Sequence, residues 1–260
     1  MRSIELGETF HPVTGPWVEA NVLHVNQQRL VERSKGLRKF VIWDVGLGAG
    51  ANILAAIEAL RDSETEIEIH SFDRTTAPLE FAISHSRELV YPVPYTEILQ
   101  HLLHKNQVNP APRMSWQLHL GDFREQVQKS LPAPHAILYD PYSAATNRDM
   151  WSLDHFQNLR KCLDPDVPCL LTNYTRSTAV RVTLLLAGFY VGAGCEIGQK
   201  AETTVASNHL DLLNHPLDRK WVERIKNSTH SAPIRVDAPL VGPMKSEEYE
   251  VLQKLPQFER

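Results

Sequence analysis

Short apolar runs alternate with amphipathic stretches along most of this chain. A strand buried in a parallel sheet reads as a nearly continuous apolar run, whereas a helix repeats its apolar residues at every third or fourth position. On this basis we predict strands at Phe40–Val45, Glu66–Phe72, Met114–Leu120, His135–Tyr139 and Cys169–Asn173.

A helical pattern follows most of these strands, and Gly188 is placed to end the last helix. A closing hairpin is predicted from Phe189–Val191 and Thr203–Ala206. Strands that alternate with helices imply an α/β fold with a doubly wound, mostly parallel sheet, whose ligands bind at the carboxyl ends of the strands. The predicted helices are Ala51–Leu60, Ala77–Leu89, Trp151–Leu163 and Thr178–Ala187.

Two proline-containing segments, 91–94 and 109–112, are predicted as loops on either side of a helix at Tyr95–Leu103. No apolar run is long enough for a membrane span, and the first residues lack the apolar core of a secretory signal. The odd number of cysteines, three, favours a reducing compartment, so we expect a cytoplasmic protein. Neither the cysteines nor the histidines show metal-ligand spacing, so no metal is expected. The net charge of −4 means that a nucleic acid would have to bind a local basic patch.

The segment Asp44–Ala51 carries three glycines between the first strand and its helix. Glycines at Gly46, Gly48 and Gly50 permit a tight turn, and the helix N-terminus offers free N–H groups to an anion. The letters also fit a nicotinamide dinucleotide loop. We favour S-adenosylmethionine (SAM), because Asp44 can receive the methionine ammonium and no later segment suggests hydride transfer.

Acidic residues end the next two strands. Asp73 follows the second strand at the spacing expected of a carboxylate that binds the ribose hydroxyls. Gly121 and Asp122 follow the third strand, where Asp122 is a candidate for the adenine amino group and equally a candidate helix N-cap. Asp140 ends the fourth strand before Pro141 and Tyr142, where it either serves the reaction or only forms the turn.

Together these segments resemble the methyltransferase part of the bacterial tRNA 5-methylaminomethyl-2-thiouridine biosynthesis proteins (MnmC), over about residues 8–235. The departures are Ala144 and Arg148, which stand where the family has prolines. The motifs that carry the resemblance are Glu8–His11, Glu19–Ala20, Asp44–Gly50, Asp140–Ser143, Asn147–Trp151, Tyr174, Ala179–Arg181, Ala187–Phe189, Lys200–Ala206, His215–Leu217 and Trp221.

The resemblance implies a seven-stranded Rossmann-like SAM-dependent methyltransferase fold. We expect an N-terminal lid at residues 1–38, the methyltransferase domain at 39–235 and a C-terminal tail at 236–260. The oxidase half of the bifunctional proteins is absent from these residues, so FAD is not expected.

The implied reaction is methylation of the 5-aminomethyl group of the wobble uridine in the anticodon of tRNA. Asp140 and Tyr142 are the expected catalytic residues. Glu19 joins the cofactor-binding set, and Tyr174, Arg181 and Lys200 are expected to bind the substrate. Two alternatives stay open, a SAM-dependent methyltransferase of a small-molecule amine and a non-catalytic Rossmann-like binding module.

Overall fold

The computed structural model describes residues 15–88, 94–198 and 201–259. The chain forms two compact units, the first ending at Asp140 and the second beginning at Pro141. Each unit has its own strands. The division predicted at residues 38 and 235 stays a prediction.

The first unit holds five strands in the order β3-β4-β2-β1-β5. β1 lies between β2 and β5 and pairs in parallel with both. β2 pairs in parallel with β4, and β3 pairs antiparallel with β4. Nearly all of β1 is buried, as its nearly continuous apolar run predicts. The strands are β1 (Lys39–Val45), β2 (Glu66–Asp73), β3 (Gln107–Ala111), β4 (Met114–Leu120) and β5 (Ala136–Tyr139).

The apolar core of this unit lies where helices cover one face of the sheet. Alternate residues of β4 enter this core, among them Met114, Trp116 and Leu118, which confirms the period of two read from the sequence. The helices are α1 (Pro16–Ala20), α2 (Leu30–Ser34), α3 (Ala51–Leu60), α4 (Ala77–Ser84), α5 (Pro94–Lys105) and α6 (Phe123–Gln126), with a π-helical turn at Asn21–Asn26.

β3 corrects one prediction, because Asn109, Pro110 and Ala111 belong to a strand where a loop was expected. Proline cannot donate to a ladder, but an edge strand tolerates it. β3 is such an edge strand, and its pairing with β4 is irregular between Val108 and Ala111. The described residues therefore contain eight strands, one more than the seven expected.

The second unit holds β6 (Leu170–Asn173), β7 (Tyr190–Ala193) and β8 (Thr204–Ser207), and β8 pairs antiparallel with both of the others. The hairpin prediction is thus confirmed to within one or two residues. The helices of this unit are α7 (Leu153–Cys162), α8 (Thr178–Leu186), α9 (Arg219–Ile225) and α10 (Ser246–Gln253).

α7 begins two residues later than predicted because Ser152 caps it and accepts a hydrogen bond from the His155 N–H. The residues from Arg148 to Trp151 form a 3-10 turn instead. α8 ends at Leu186, and Gly188 follows it with a φ of 91°, as the sequence predicts. No described helix is long and apolar enough to cross a membrane.

The C-terminal residues pack into the second unit. The buried amide of Gln257 accepts a hydrogen bond from the Val191 N–H (2.8 Å) and donates to the carbonyls of Val191 (2.7 Å) and Leu217 (2.9 Å). This side chain therefore satisfies backbone groups along β7 that a neighbouring strand would otherwise pair.

Candidate functional site

The glycine loop between β1 and α3 is shaped as a nucleotide-binding turn requires. Gly46, Gly48 and Gly50 have φ values of 88°, 53° and 85°, in the region that disfavours side chains. The N–H groups of Gly46 and Leu47 both donate to the Phe72 carbonyl in β2, at 3.0 and 3.2 Å. The loop is thus fixed to the neighbouring strand.

Asp44, near the end of β1, is buried, with 1% of its surface exposed. Its Oδ2 accepts a hydrogen bond from the Ser71 hydroxyl at 2.7 Å, and that hydroxyl accepts one from the Trp116 indole N–H at 2.9 Å. Its Oδ1 is buried without a hydrogen-bond partner. Burial, with a smaller contribution from repulsion by Asp140 and Asp73, raises the pKa of Asp44 to about 7.

A buried carboxylate oxygen without a donor is costly unless a ligand supplies one. A cationic donor fits best, because Asp44 stands near two other acidic side chains. The α-ammonium group of SAM has this chemistry. The residues present therefore fit the predicted cofactor.

Asp73, at the end of β2, holds the glycine loop in this structure. Its Oδ2 accepts a hydrogen bond from the Gly48 N–H at 2.9 Å, and its Oδ1 accepts one from the Thr75 N–H at 3.2 Å. Burial raises the pKa of Asp73, and these backbone hydrogen bonds oppose that rise. The carboxylate is thus positioned beside the loop, and its role toward the ribose hydroxyls stays a prediction.

Asp122 is the N-cap of α6, because its side chain accepts a hydrogen bond from the Arg124 N–H at 3.0 Å. The Arg124 guanidinium bonds the same carboxylate at 2.9 and 2.6 Å, and this side chain and Arg74 hold the pKa of Asp122 down at about 2. Gly121 before it has a φ of 129°, and a Cβ there would lie 2.8 Å from the Gln126 Nε2. The capping interpretation is confirmed, and the adenine contact stays a prediction.

Asp140 follows β5, and its N–H donates to the Val45 carbonyl at 2.9 Å. Its Oδ2 accepts a hydrogen bond from the Asn52 side-chain amide at 2.7 Å. Asn52 lies in the first turn of α3, directly after the glycine loop. The first unit therefore places the glycine loop, Asp44 and Asp140 around adjacent strand ends of one sheet.

The N-terminal segment packs on this unit. Glu19 lies half-buried in α1, which packs against α3, and the Gln28 amide donates to the Ile137 carbonyl of β5 at 2.9 Å. The predicted lid begins at residue 1, but residues 1–14 lie outside the described part of the chain. The lid and the role of Glu19 toward the cofactor stay predictions.

In the second unit, aromatic residues gather just after Asp140. The Tyr142 carbonyl accepts a hydrogen bond from the Trp151 indole N–H at 2.8 Å, and the Tyr174 hydroxyl donates to the Pro141 carbonyl at 3.1 Å. Trp151 and Tyr174 also meet edge to face, with ring centroids 6.0 Å apart. The predicted residues Tyr142 and Tyr174 are thus linked through the turn that begins at Pro141.

Arg181 corrects a prediction, because it is buried in α8 with 2% of its surface exposed. Its guanidinium donates to the Thr204 hydroxyl (3.0 Å), the Glu202 carboxylate (2.9 Å) and the Thr203 carbonyl (2.7 Å). A guanidinium engaged in this way is not available to a phosphate, so Arg181 joins α8 to the strand β8. Lys200, which was also expected to bind the substrate, lies outside the described residues.

Sequence reasoning missed four residues with buried polar groups around the site. Asn52 donates to Asp140, Ser71 donates to Asp44, and the Trp116 indole N–H donates to the Ser71 hydroxyl. Asn173, at the end of β6, is also buried; its Oδ1 accepts a hydrogen bond from the Thr175 N–H, and its Nδ2 has no partner. The available signal was a polar residue inside an otherwise apolar segment, which applies to Asn52. Among the described residues, no group of His, Cys, Asp or Glu is arranged to hold a metal.

The chain is similar to known methyltransferases. A family model described as S-adenosyl-L-methionine-dependent methyltransferase matches residues 88–209. The "tRNA 5-methylaminomethyl-2-thiouridine biosynthesis bifunctional protein MnmC" of Burkholderia vietnamiensis is 31% identical over 204 residues, which are 72% of this chain and 30% of that protein. The protein of the same name from Ralstonia nicotianae is 29% identical over 240 residues, 85% of this chain and 35% of its own length.

Among solved structures, MNMC2 from Aquifex aeolicus superposes with a TM-score of 0.66 and 27% identity, covering 90% of this chain and 72% of that one. These similarities confirm the predicted α/β methyltransferase fold and the resemblance drawn from the motifs. The chain spans about a third of the length of the curated relatives it matches.

Proposed function

We propose, from the premise that this chain is an MnmC-like SAM-dependent methyltransferase domain, that it methylates the 5-aminomethyl group of the wobble uridine of tRNA. The product is 5-methylaminomethyl-uridine, with or without a 2-thio group. The observation that carries the proposal is the Asp140 carboxylate, held at the end of β5 beside the glycine loop and Asp44.

The first unit supplies the cofactor-binding residues. SAM, when bound, supplies a methyl group on a sulfonium centre. Asp44 would bind the ammonium group of SAM, and Asp73 would bind its ribose hydroxyls. The glycine loop and the N-terminus of α3 would bind its carboxylate. Asp122 would accept a hydrogen bond from the adenine amino group only in competition with the Arg124 guanidinium, which already bonds both of its oxygens.

Asp140 is suited to hold the substrate amine and take its proton. An amine attacks only when it is neutral, and a lysine-like pKa of about 10.4 would make deprotonation at pH 7 cost up to roughly 4.6 kcal/mol. The uracil ring lowers this cost, and a carboxylate beside the amine provides a proton acceptor. Positioning by Asp140 would bring the nitrogen into line with the methyl group.

Tyr142 and Tyr174 are the aromatic side chains proposed for the base. A wobble base must be splayed out of the anticodon to enter a pocket, and unstacked bases bind well against aromatic rings. Tyr142 follows Asp140 by two residues, and Tyr174 is tied to the turn between them. Tyr142 would therefore wall the pocket or stack on the uracil, and Tyr174 would support it.

The direct test is incubation with labelled SAM and tRNA from cells that lack the final methylation step, followed by digestion to nucleosides. We expect the label in 5-methylaminomethyl-uridine. Label in another nucleoside would change the assigned substrate, and no label in any nucleoside would overturn the proposed function.

Two observations favour a small-molecule amine as the second candidate. The net charge is −4, and Arg181, which was expected to bind the substrate, is buried. Incubation with labelled SAM and a panel of polyamine-like amines separates the two candidates. Transfer to an amine of the panel but not to tRNA would establish the alternative.

A further inference from the structure

Asn52 occupies an unusual place for a polar residue. It lies in the first turn of α3, where Ala51, Ile53, Leu54 and Ala55 are all buried, and only 6% of its own surface is exposed. A buried amide in such a helix is costly unless its polar atoms find partners. Its Nδ2 finds one in the Asp140 Oδ2 at 2.7 Å.

This contact joins distant parts of the sequence. Asn52 and Asp140 are 88 residues apart, and the hydrogen bond ties the helix after the glycine loop to the end of β5. This hydrogen bond restricts the orientation of the Asp140 carboxylate about its terminal bond. A carboxylate that must meet an amine in line gains from such a constraint.

The chemistry of the donor also matters. A lysine or arginine at this position would form an ion pair with Asp140 and hold it as a charged acceptor. The neutral amide of Asn52 orients the carboxylate without cancelling its charge. Asp44 is held in the same manner by a neutral donor, the Ser71 hydroxyl at 2.7 Å.

We infer that Asn52 is a positioning residue for methyl transfer, which aims the Asp140 carboxylate at the substrate amine. The inference rests on the proposed function, in which Asp140 takes the amine proton. Ser71, by contrast, orients Asp44, the residue proposed to bind the cofactor. The two buried donors therefore serve different steps, transfer for Asn52 and cofactor binding for Ser71.

The first experiment is a double-mutant cycle of single-turnover transfer with saturating SAM and substrate. Asn52→Ala should slow transfer about 10-fold or more while calorimetry shows SAM affinity changed by less than about 3-fold. If Asn52 acts through Asp140, Asn52→Ala combined with Asp140→Asn should be no slower than Asp140→Asn alone. Multiplicative losses would overturn the inference.

Matched variants sharpen this result. Asn52→Ser retains a shorter donor and should recover part of the rate that Asn52→Ala loses. Thr65→Ala is the control, since it removes a buried hydroxyl that donates to the Ser34 carbonyl at 2.7 Å, just before the start of β2 and away from the strand ends that carry the site, and it should leave both SAM affinity and transfer near wild type. Loss of SAM affinity in Asn52→Ala, with transfer unchanged at saturation, would make Asn52 a cofactor residue and contradict the inference.

The second experiment needs neither turnover nor an Asn52 variant that folds. In protein labelled with 15N-asparagine, the Asn52 side-chain amide should shift in the Asp140→Ala variant and stay unchanged in Ser71→Ala. An amide resonance insensitive to Asp140 would overturn the inference even if tRNA is methylated. Conversely, absence of methylation by the wild type with an intact Asn52–Asp140 response would count against the proposed function alone.

Discussion

At the scale of single residues, carboxylates lie at neighbouring strand ends but differ in burial and in their hydrogen-bond partners. Asp44 is buried and keeps an unpartnered oxygen, whereas Asp122 is bound by arginine side chains. Asp140 is oriented by a neutral amide. The same side-chain type is thus set for different tasks by its partners, as pKa control in active sites requires.

The role of Asp140 predicts a pH-dependent defect. Asp140→Asn should retain the fold and SAM affinity but slow transfer at pH 7 by about 10²–10⁴-fold, the usual range for a general base. The defect should shrink at high pH, where more of the amine is already neutral. Single-turnover rates across pH give the measurement; an equal defect at every pH would assign Asp140 to positioning, and a wild-type rate would leave it a turn residue.

The raised pKa of Asp44 predicts that SAM binds more weakly in acid. Because that pKa is about 7, Asp44 loses its charge as pH falls through 7, and SAM affinity should fall by up to about tenfold per unit below it. Calorimetry from pH 8 to 5.5 tests this. The same slope in Asp44→Asn would show that another group titrates.

Acid weakens SAM binding, but it should stabilise the fold of the protein without cofactor. Burial raises the pKa of Asp44 from 3.8 to about 7, so the ionised form destabilises the fold without cofactor, by roughly 4 kcal/mol above pH 7 relative to acid. Asp44→Asn should therefore unfold at a higher temperature than wild type at pH 8, and the difference should shrink as pH falls toward 4. An unchanged or lower melting temperature at pH 8 would contradict this.

At the scale of elements, the strand-to-helix turns carry the site. The glycine loop is fastened to β2 through the Phe72 carbonyl and through Asp73, so its backbone cannot move independently of the sheet. In the second unit, α8 is fastened to β8 through Arg181. Substitutions in the loop should therefore change ligand affinity, and substitutions in α8 should change the stability of the fold.

Gly48→Val tests the loop. The φ of 53° at Gly48 disfavours a β-branched residue. The added side chain would also lie beside the Gly48 N–H, which donates a hydrogen bond to the Asp73 carboxylate. SAM binding measured by calorimetry should be lost in a variant whose circular dichroism matches wild type. Retained SAM affinity would refute the loop assignment, and binding of NADH instead would favour the dinucleotide interpretation.

Arg181→Ala tests the element contact. Removing the buried guanidinium takes one hydrogen-bond donor from each of Glu202, Thr203 and Thr204, and because the Glu202 carboxylate is partly exposed the expected cost is about 1–3 kcal/mol. Thermal unfolding should show a clear loss of stability, while the exposed Lys161→Ala, an equal change of charge, should show little. Unchanged stability together with weaker tRNA binding would restore Arg181 as a substrate residue.

At the scale of the whole molecule, the net charge of −4 limits how a polyanion is bound. We expect moderately weak tRNA binding that weakens further with salt, because each neutralised phosphate releases counterions. Lys200→Ala should lower tRNA affinity and the salt slope without changing SAM affinity. Equal losses for both ligands would mean that Lys200 supports the fold.

Much of the architecture was predictable because its causes are local. Apolar periodicity located β1, β2, β4 and β5 to within a residue or two, and the requirement for positive φ located the glycine loop. Carboxylates directly after strands then pointed to the ligand-binding edge of a parallel sheet. β3 escaped this reasoning, since Pro110 reads as a loop unless the strand is known to lie at an edge.

Partner choice, by contrast, was decided only by the tertiary structure. Nothing near Asn52 in the sequence identifies Asp140 as its acceptor, and nothing near Arg181 shows that it is buried against β8. The polar contacts of Gln257 with β7 bridge 66 residues in the same way. The sequence by itself determined which residues end strands and turn loops, because backbone preference and burial period act locally. Only packing determined which polar groups meet, because a buried donor bonds whichever acceptor the folded chain places beside it.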